Sequence, residues 1–356
     1  MRPIEIGRRK IGPGYPCFII AEAGVNHNGK LDVAKELVVE AVRAGADAIK
    51  FQTFSPSSVI TRDAPKASYQ QKTTPADESQ FDMLQRLSLS YDDFRDLKSV
   101  ADKVGIVFLS TPCATEDIDF LMRLQVPALK IASMDIVNYP LLDYAGRQGV
   151  PIILSCGMAD LGEVEKALHA LRRAGCFEIV LLHCVTNYPI RNDEANLRVM
   201  DTLSQAFQVP VGFSDHTTST VIPAAAVARG ACVIEKHFTL DRGLSGPDHA
   251  ASLDKKGFFE MVSHIREVES ALGDPVRRPL DVELANRAAM RRSLVAAGDI
   301  PPGTVLETRH FTLKRPGTGL GAEYISLFVG RKTQRPVRKD QLITLDILLP
   351  NTAEHE

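Results

Sequence analysis

Eight short, continuously apolar runs, each separated from the next by a connecting stretch that in most cases reads as an amphipathic helix, constrain this chain more than any other feature. They are Cys17–Gly24, Ala48–Phe54, Val107–Pro112, Ala128–Ser133, Pro151–Gly157, Ile179–Val185, Pro210–His216 and Ala231–Leu240. Strands buried on both faces read as unbroken apolar runs, whereas half-solvated strands alternate. The stretches between them, such as Asp32–Ala44, Tyr91–Val104, Leu161–Ala174, Glu194–Phe207 and Ser219–Arg229, place apolar residues at helical spacing. Eight strands, most of them followed by a helix, predict an α/β fold, a (β/α)8 TIM barrel. A doubly wound open sheet accounts for the same count. No strand leads into a GxGxxG turn, however, so nothing supports a dinucleotide site.

The rhythm breaks twice. Residues 55–90 are polar and carry Pro56, Pro65 and Pro75, which predicts a long loop after the second barrel strand. Such loops at the C-terminal face of a barrel cover the site. Beyond Gly273-Asp274-Pro275 a basic connector leads to a piece rich in turns and short strand-like runs. The expected organisation is a catalytic barrel over 1–275, a linker over 276–290 and a small β-rich domain over 291–350.

The balance of 42 Lys+Arg against 44 Asp+Glu gives no basic field that would point to nucleic acid. Six cysteines form no CxxC pair and lie mostly in apolar runs, which reads as buried reduced thiols. No apolar stretch is long enough to span a bilayer, and the protein is expected to be cytoplasmic, with no membrane or nucleic-acid partner.

In a barrel the polar residues at the C-terminal ends of strands face the site. The first run ends on Glu22, followed by Asn26-His27-Asn28-Gly29; the second offers Lys50 and Gln52; the third Ser110 and Thr111; the fourth Lys130 and Ser133. The later ones add Ser155, then Thr186 and Tyr188, then Ser214, Asp215 and His216, and last Glu235, Lys236 and His237. Two imidazoles at corresponding ends of adjacent strands predict a shared divalent cation, and two lysines among hydroxyls suit an anionic phosphate. Glu22 reads either as a carboxylate that activates water or as an ion-pair partner of Lys50 or Lys130. A desolvated Lys50 or Lys130 also suits a Schiff-base aldolase.

The strings IAEAGVNHNG (20–29), IKFQTF (49–54), LKIAS (129–133), PIILSCGM (151–158), GFSDHT (212–217), EKHFT (235–239) and GPDH (246–249) together resemble the sialic acid synthase family. LVAAGDIPPGT (294–304) with KRPGTG (314–319) resembles that family's antifreeze-like SAF domain, a β-clip fold. The resemblance runs along essentially the whole chain. It implies condensation of phosphoenolpyruvate with an N-acetylmannosamine-type sugar to give a nine-carbon 2-keto acid and phosphate, with N-acetylneuraminate as the first product to consider. A legionaminic or pseudaminic acid synthase, or an enzyme of spore-coat or surface polysaccharide biosynthesis, shares the same skeleton. The resemblance further implies Mn2+, or Mg2+ or Co2+, on His216 and His237. It assigns Lys50, Thr111, Lys130, Ser133, Ser155 and Ser214 to phosphoenolpyruvate, and Glu22 to a catalytic role. It assigns Gln52, Asp135, Tyr188 and Asp248 to the sugar.

Arg315 matches an arginine that one subunit inserts into its partner's site, which implies a domain-swapped homodimer; otherwise it is a turn residue before Pro316. Two places depart from the family pattern. Ser133-Met134-Asp135 stands where bacterial sialic acid synthases have Ser-Gly-Glu, and Thr186-Asn187 precedes Tyr188-Pro189 where many relatives place Asn two residues before the Tyr. Both fall on the sugar side.

Overall fold

The computed structural model describes residues 2–75 and 77–348. They fall into two units, divided between Gly273 and Asp274. In the first, a short antiparallel hairpin, β1 (Ile4–Ile6) and β2 (Arg9–Ile11), precedes eight parallel strands. These are β3 (Phe18–Gly24), β4 (Ala48–Thr53), β5 (Val107–Pro112), β6 (Leu129–Ile131), β7 (Ile152–Ser155), β8 (Ile179–Cys184), β9 (Val211–Asp215) and β10 (Val233–His237). Their order is β5-β4-β3-β10-β9-β8-β7-β6, and β5 packs beside β6, so the sheet closes on itself. The closed, parallel (β/α)8 topology is the barrel that the eight runs predict.

Alternation along each strand sorts side chains into two cores. Ile19, Ala21 and Ala23 of β3 point outward, and they pack with Leu37, Val38 and Ala41 of the helix Leu31–Arg43 in the shell between strands and helices. Phe18, Ile20, Ala48, Ile153, Val180 and Val233 point inward, where Ile4, Ile6 and Ile11 of the hairpin join them. The hairpin thus plugs the N-terminal end of the barrel with apolar side chains, and inward polar residues such as Glu22, Lys50 and Ser155 gather toward the C-terminal ends. Helix termini are set locally. For Tyr91–Val104, Ser90 and Asp93 form a reciprocal capping box and Gly105 ends the helix at φ +77°.

Residues 55–90 are not structureless. They contain the helices Pro56–Val59, Ser68–Thr73 and Gln80–Leu87, seated on the barrel by a small apolar cluster of Val25, Phe54, Met83 and Leu87. All six cysteines are unpaired, five of them buried. Among the described residues no helix is long and apolar enough to cross a membrane.

The second unit opens with the exposed helix Asp281–Met290, in the stretch expected as a linker. β11 (Ser293–Ala296) then pairs antiparallel with β12 (Phe311–Lys314) over a core of Leu294, Ile300, Leu306, Phe311, Phe328, Val337 and Ile343. Residues 349 and 350, the expected end of this domain, lie outside the described residues.

Candidate active site

The C-terminal mouth of the barrel holds a cavity of about 530 Å3. Glu22, Lys50, Gln52, Thr111, Lys130, Ser133, Ser155, Tyr188, Ser214, His216 and His237 all line it. Strand register explains the convergence: Glu22 lies opposite Lys50 on one side and His237 on the other, and Ser214 lies opposite Glu235. The two-residue period then turns the whole set inward.

Two lysines dominate the floor. Lys50 Nζ is 2.7 Å from Glu22 Oε2 and 3.7 Å from Glu235 Oε2, and it donates to Thr111 Oγ1 at 3.1 Å. Lys130 Nζ donates to Ser155 Oγ at 2.6 Å and to the Ile131 carbonyl, and lies 3.7 Å from Glu235 Oε1. Burial opposes the charge on both. For Lys50 the carboxylates of Glu22 and Glu235 outweigh it and raise its pKa. For Lys130 burial prevails over Glu235, with repulsion from Lys50 acting in the same sense, and its pKa is lowered. Glu235 is also buried, yet Lys130, Lys50 and the Ser214 hydroxyl hold its carboxyl well below the ordinary range. Glu22 is pushed up by burial and by Glu235, against the pull of Lys50.

The imidazoles stand above this floor with ring centres 5.6 Å apart. Nδ1 of His216 meets the Val185 carbonyl at 2.6 Å; as the donor there, it leaves Nε2 free to coordinate. His237 Nδ1 is buried without a hydrogen-bond partner, 3.9 Å from Asp248 Oδ2. Burial lowers the pKa of both rings, that of His237 further because His216 and Lys50 add positive charge, and the neutral form is the one that binds metals. Among the described residues no third His, Cys, Asp or Glu completes a protein-only metal cluster. The donor set therefore fits an open site of two nitrogens, with the remaining positions left to solvent and substrate oxygens.

Tyr188 packs against both imidazoles, its ring centre 4.2 Å from that of His216 and 5.4 Å from that of His237. Behind them a smaller cavity of about 100 Å3 is lined by Gln52, Tyr69, Tyr188, His237 and Asp248. Asp248 is pushed up to about 7 by burial and by the like charge of Glu22, with Lys50 opposing. Asp135, expected on the sugar side, is buried on the turn Ser133–Asp135 and is not among the residues that line either cavity. Its Oδ1 accepts from Asn138 and its Oδ2 is buried without a partner, while its neighbour Met134 lines the cavity. Gly157 faces the same wall: a Cβ there would lie 2.3 Å from Thr186 Oγ1 and 2.8 Å from Ser133 Oγ. Arg315 belongs to the second unit, where it is exposed and donates from Nε to the Met290 carbonyl at 3.2 Å.

Some lining residues have no assigned role in the sequence reading. Tyr69 and Gln70 come from the 55–90 segment, and the Tyr69 ring packs against Tyr188 with centres 5.0 Å apart and planes tilted by 39°; nothing in that polar stretch singles them out. Glu235 carries a signal, since it lies two residues before His237 and so faces the same way. Lys236, between them, faces outward into a fully buried ion pair with Asp215 at 2.5 Å.

A closed parallel barrel with a buried, charged mouth of this kind defines a TIM-barrel enzyme. The chain belongs to the NeuB family, whose model matches residues 37–277, and residues 291–349 match the SAF domain. It is 44% identical over 330 residues to N,N'-diacetyllegionaminic acid synthase of Legionella pneumophila, covering 92% of this chain and 93% of that protein. It is 35% identical to human N-acetylneuraminate-9-phosphate synthase, covering 96% and 95%. The crystal structure of N-acetylneuraminic acid (sialic acid) synthetase from Leptospira borgpetersenii, in complex with citrate, superposes with a TM-score of 0.71. It is 34% identical and covers 80% of this chain and 95% of that one.

Proposed function

We propose that this protein condenses phosphoenolpyruvate with the open-chain aldehyde of an N-acyl-hexosamine, giving a nine-carbon 2-keto acid and phosphate. The observation that carries the reading is the pair of buried lysines, Lys50 and Lys130, with the hydroxyls of Thr111, Ser155 and Ser214, directly beneath two imidazoles. Relatives named legionaminic acid and N-acetylneuraminate-9-phosphate synthases support the reaction class.

Lys50, Lys130 and the hydroxyls take the phosphate and carboxylate oxygens, supplying point charges and directed donors. Gln52, Tyr188 and Asp248 line the side that takes the sugar, and Asp135 stands behind the lining residue Met134. His216 and His237 hold a divalent cation, most simply Mn2+, which when bound polarises the aldehyde oxygen. The methylene carbon of phosphoenolpyruvate forms the new bond to the aldehyde carbon, water adds at the former enol carbon, and the carbon–oxygen bond to phosphate breaks. Glu22, 2.7 Å from Lys50, is the carboxylate that orients this water or the acceptor. Arg315 serves the partner's site in a homodimer.

A lysine aldolase is the second reading, favoured by the lowered pKa of Lys130. A phosphate-release screen with phosphoenolpyruvate, manganese and a panel of acceptors separates the two. The panel contains N-acetylmannosamine, its 6-phosphate and 6-deoxy-diacetamido sugars. Phosphate release that depends on one of these acceptors is the expected result. In a parallel set with pyruvate replacing phosphoenolpyruvate, condensation of pyruvate with an acceptor and its trapping on the protein by borohydride would establish the aldolase instead.

A further inference from the structure

The Glu235 carboxyl lies in the lining of the pocket that is to bind an anion, between the two lysines. Its Oε1 accepts from the Ser214 hydroxyl at 2.9 Å and lies 3.7 Å from Lys130, and its Oε2 lies 3.7 Å from Lys50. Oε2 is buried yet has no hydrogen-bond donor. This is not how the same two strands build a structural ion pair. On their outer face Lys236 meets Asp215 at 2.5 Å and donates to the Thr217 carbonyl as well. Glu235 is held by charge at longer range, and the three groups around it are the ones assigned to the substrate's phosphate and carboxylate.

We propose that Glu235 is an intramolecular competitor of the substrate anion. It engages the Ser214 hydroxyl and both ammonium groups, weakens their hold on phosphate, and so lets the product phosphate leave. The proposal rests on the anion-pocket reading above. Its physical basis is the balance of buried charge. Lys50 and Lys130 are matched by Glu22 and Glu235, so an incoming phosphate meets a formally neutral floor. Charge interactions at these separations are far stronger in a buried site than in water. Removing the charge of Glu235 while keeping its shape therefore strengthens anion binding, at the expense of turnover.

The test is calorimetric titration of inorganic phosphate, and of phosphoenolpyruvate, into the full-length protein at a fixed divalent cation concentration. It compares wild type, Glu235→Gln and Glu235→Asp, with the melting of each variant followed by circular dichroism. Glu235→Gln is expected to bind phosphate at least ten-fold more tightly. In steady state it should show a lowered KM for phosphoenolpyruvate, a lowered kcat and stronger product inhibition by phosphate. Glu235→Asp, which keeps the charge, should stay within about three-fold of wild type in phosphate affinity. A folded Glu235→Gln protein whose phosphate affinity is unchanged or weaker overturns the proposal, since Glu235 would then only scaffold the lysines. A wild-type protein that binds neither phosphate nor phosphoenolpyruvate overturns the anion-pocket reading itself, and this proposal with it.

Discussion

His27 is buried within the AEAGVNHNG segment. There its Nδ1 accepts from the Gly29 amide at 3.1 Å and its ring lies 6.1 Å from that of Phe51, outside the cavity lining. Burial pulls its pKa from 6.5 down to about 4. In the unfolded chain the imidazole takes a proton as the pH falls through 6.5, whereas in the folded protein it resists until about 4. The stability owed to the neutral, buried ring is thus complete above 6.5 and is lost as the pH falls toward 4, by roughly 3 kcal/mol in all. Replacing His27 with Gln is expected to flatten the acid limb of unfolding free energy against pH between 4.5 and 7. Urea titrations at several pH values read this directly, and an unaltered slope would show that the loss lies elsewhere. At this scale the sequence was most readable where strand periodicity applies. His216, His237, Lys50 and Lys130 end inward because they sit at the right parity on buried strands. Glu235 obeys the same parity, but a carboxylate beside lysines reads equally as a salt bridge, and no one-dimensional pattern separates the two.

Elements were legible in proportion to their length. The helix over 91–104 carries its own capping box and terminal glycine, so its limits could be read locally. The barrel strands announce themselves by unbroken apolar runs. The N-terminal hairpin does not: each of its strands has three residues, and its significance comes from Ile4, Ile6 and Ile11 reaching the barrel interior, a contact far away in sequence. The segment 55–90 was expected to cover the site, and it does supply Tyr69 and Gln70 to the cavity wall. Its three short helices leave no periodic signal in the sequence, because four to eight residues span too few turns to establish one. They are held instead by tertiary contacts such as Met83 and Leu87 against Val25 and Phe54.

At the scale of the molecule, a barrel with a charged mouth is followed by a small domain whose exposed Arg315 donates to the Met290 carbonyl within its own unit. If that arginine serves the partner's site, subunits disabled in different places complement each other. Co-expressing an Arg315→Ala chain with a Lys130→Ala chain is expected to yield mixed dimers with one working site, although each variant alone is inactive. Mixed dimers with no recovered turnover would assign Arg315 to its own subunit. The proposed reaction at the barrel mouth joins phosphoenolpyruvate held by Lys50 and Lys130 to an aldehyde presented by a cation on His216 and His237. It is tested most directly by following phosphate release after chelator treatment and manganese readdition, in wild type and in His216→Ala and His237→Ala variants that remain folded. Release is expected to require phosphoenolpyruvate, acceptor and metal together, to stop on chelation, to return with manganese in the wild type, and to stay absent in both histidine variants. Turnover that survives chelation in the wild type, or persists at full rate in either variant, would contradict it.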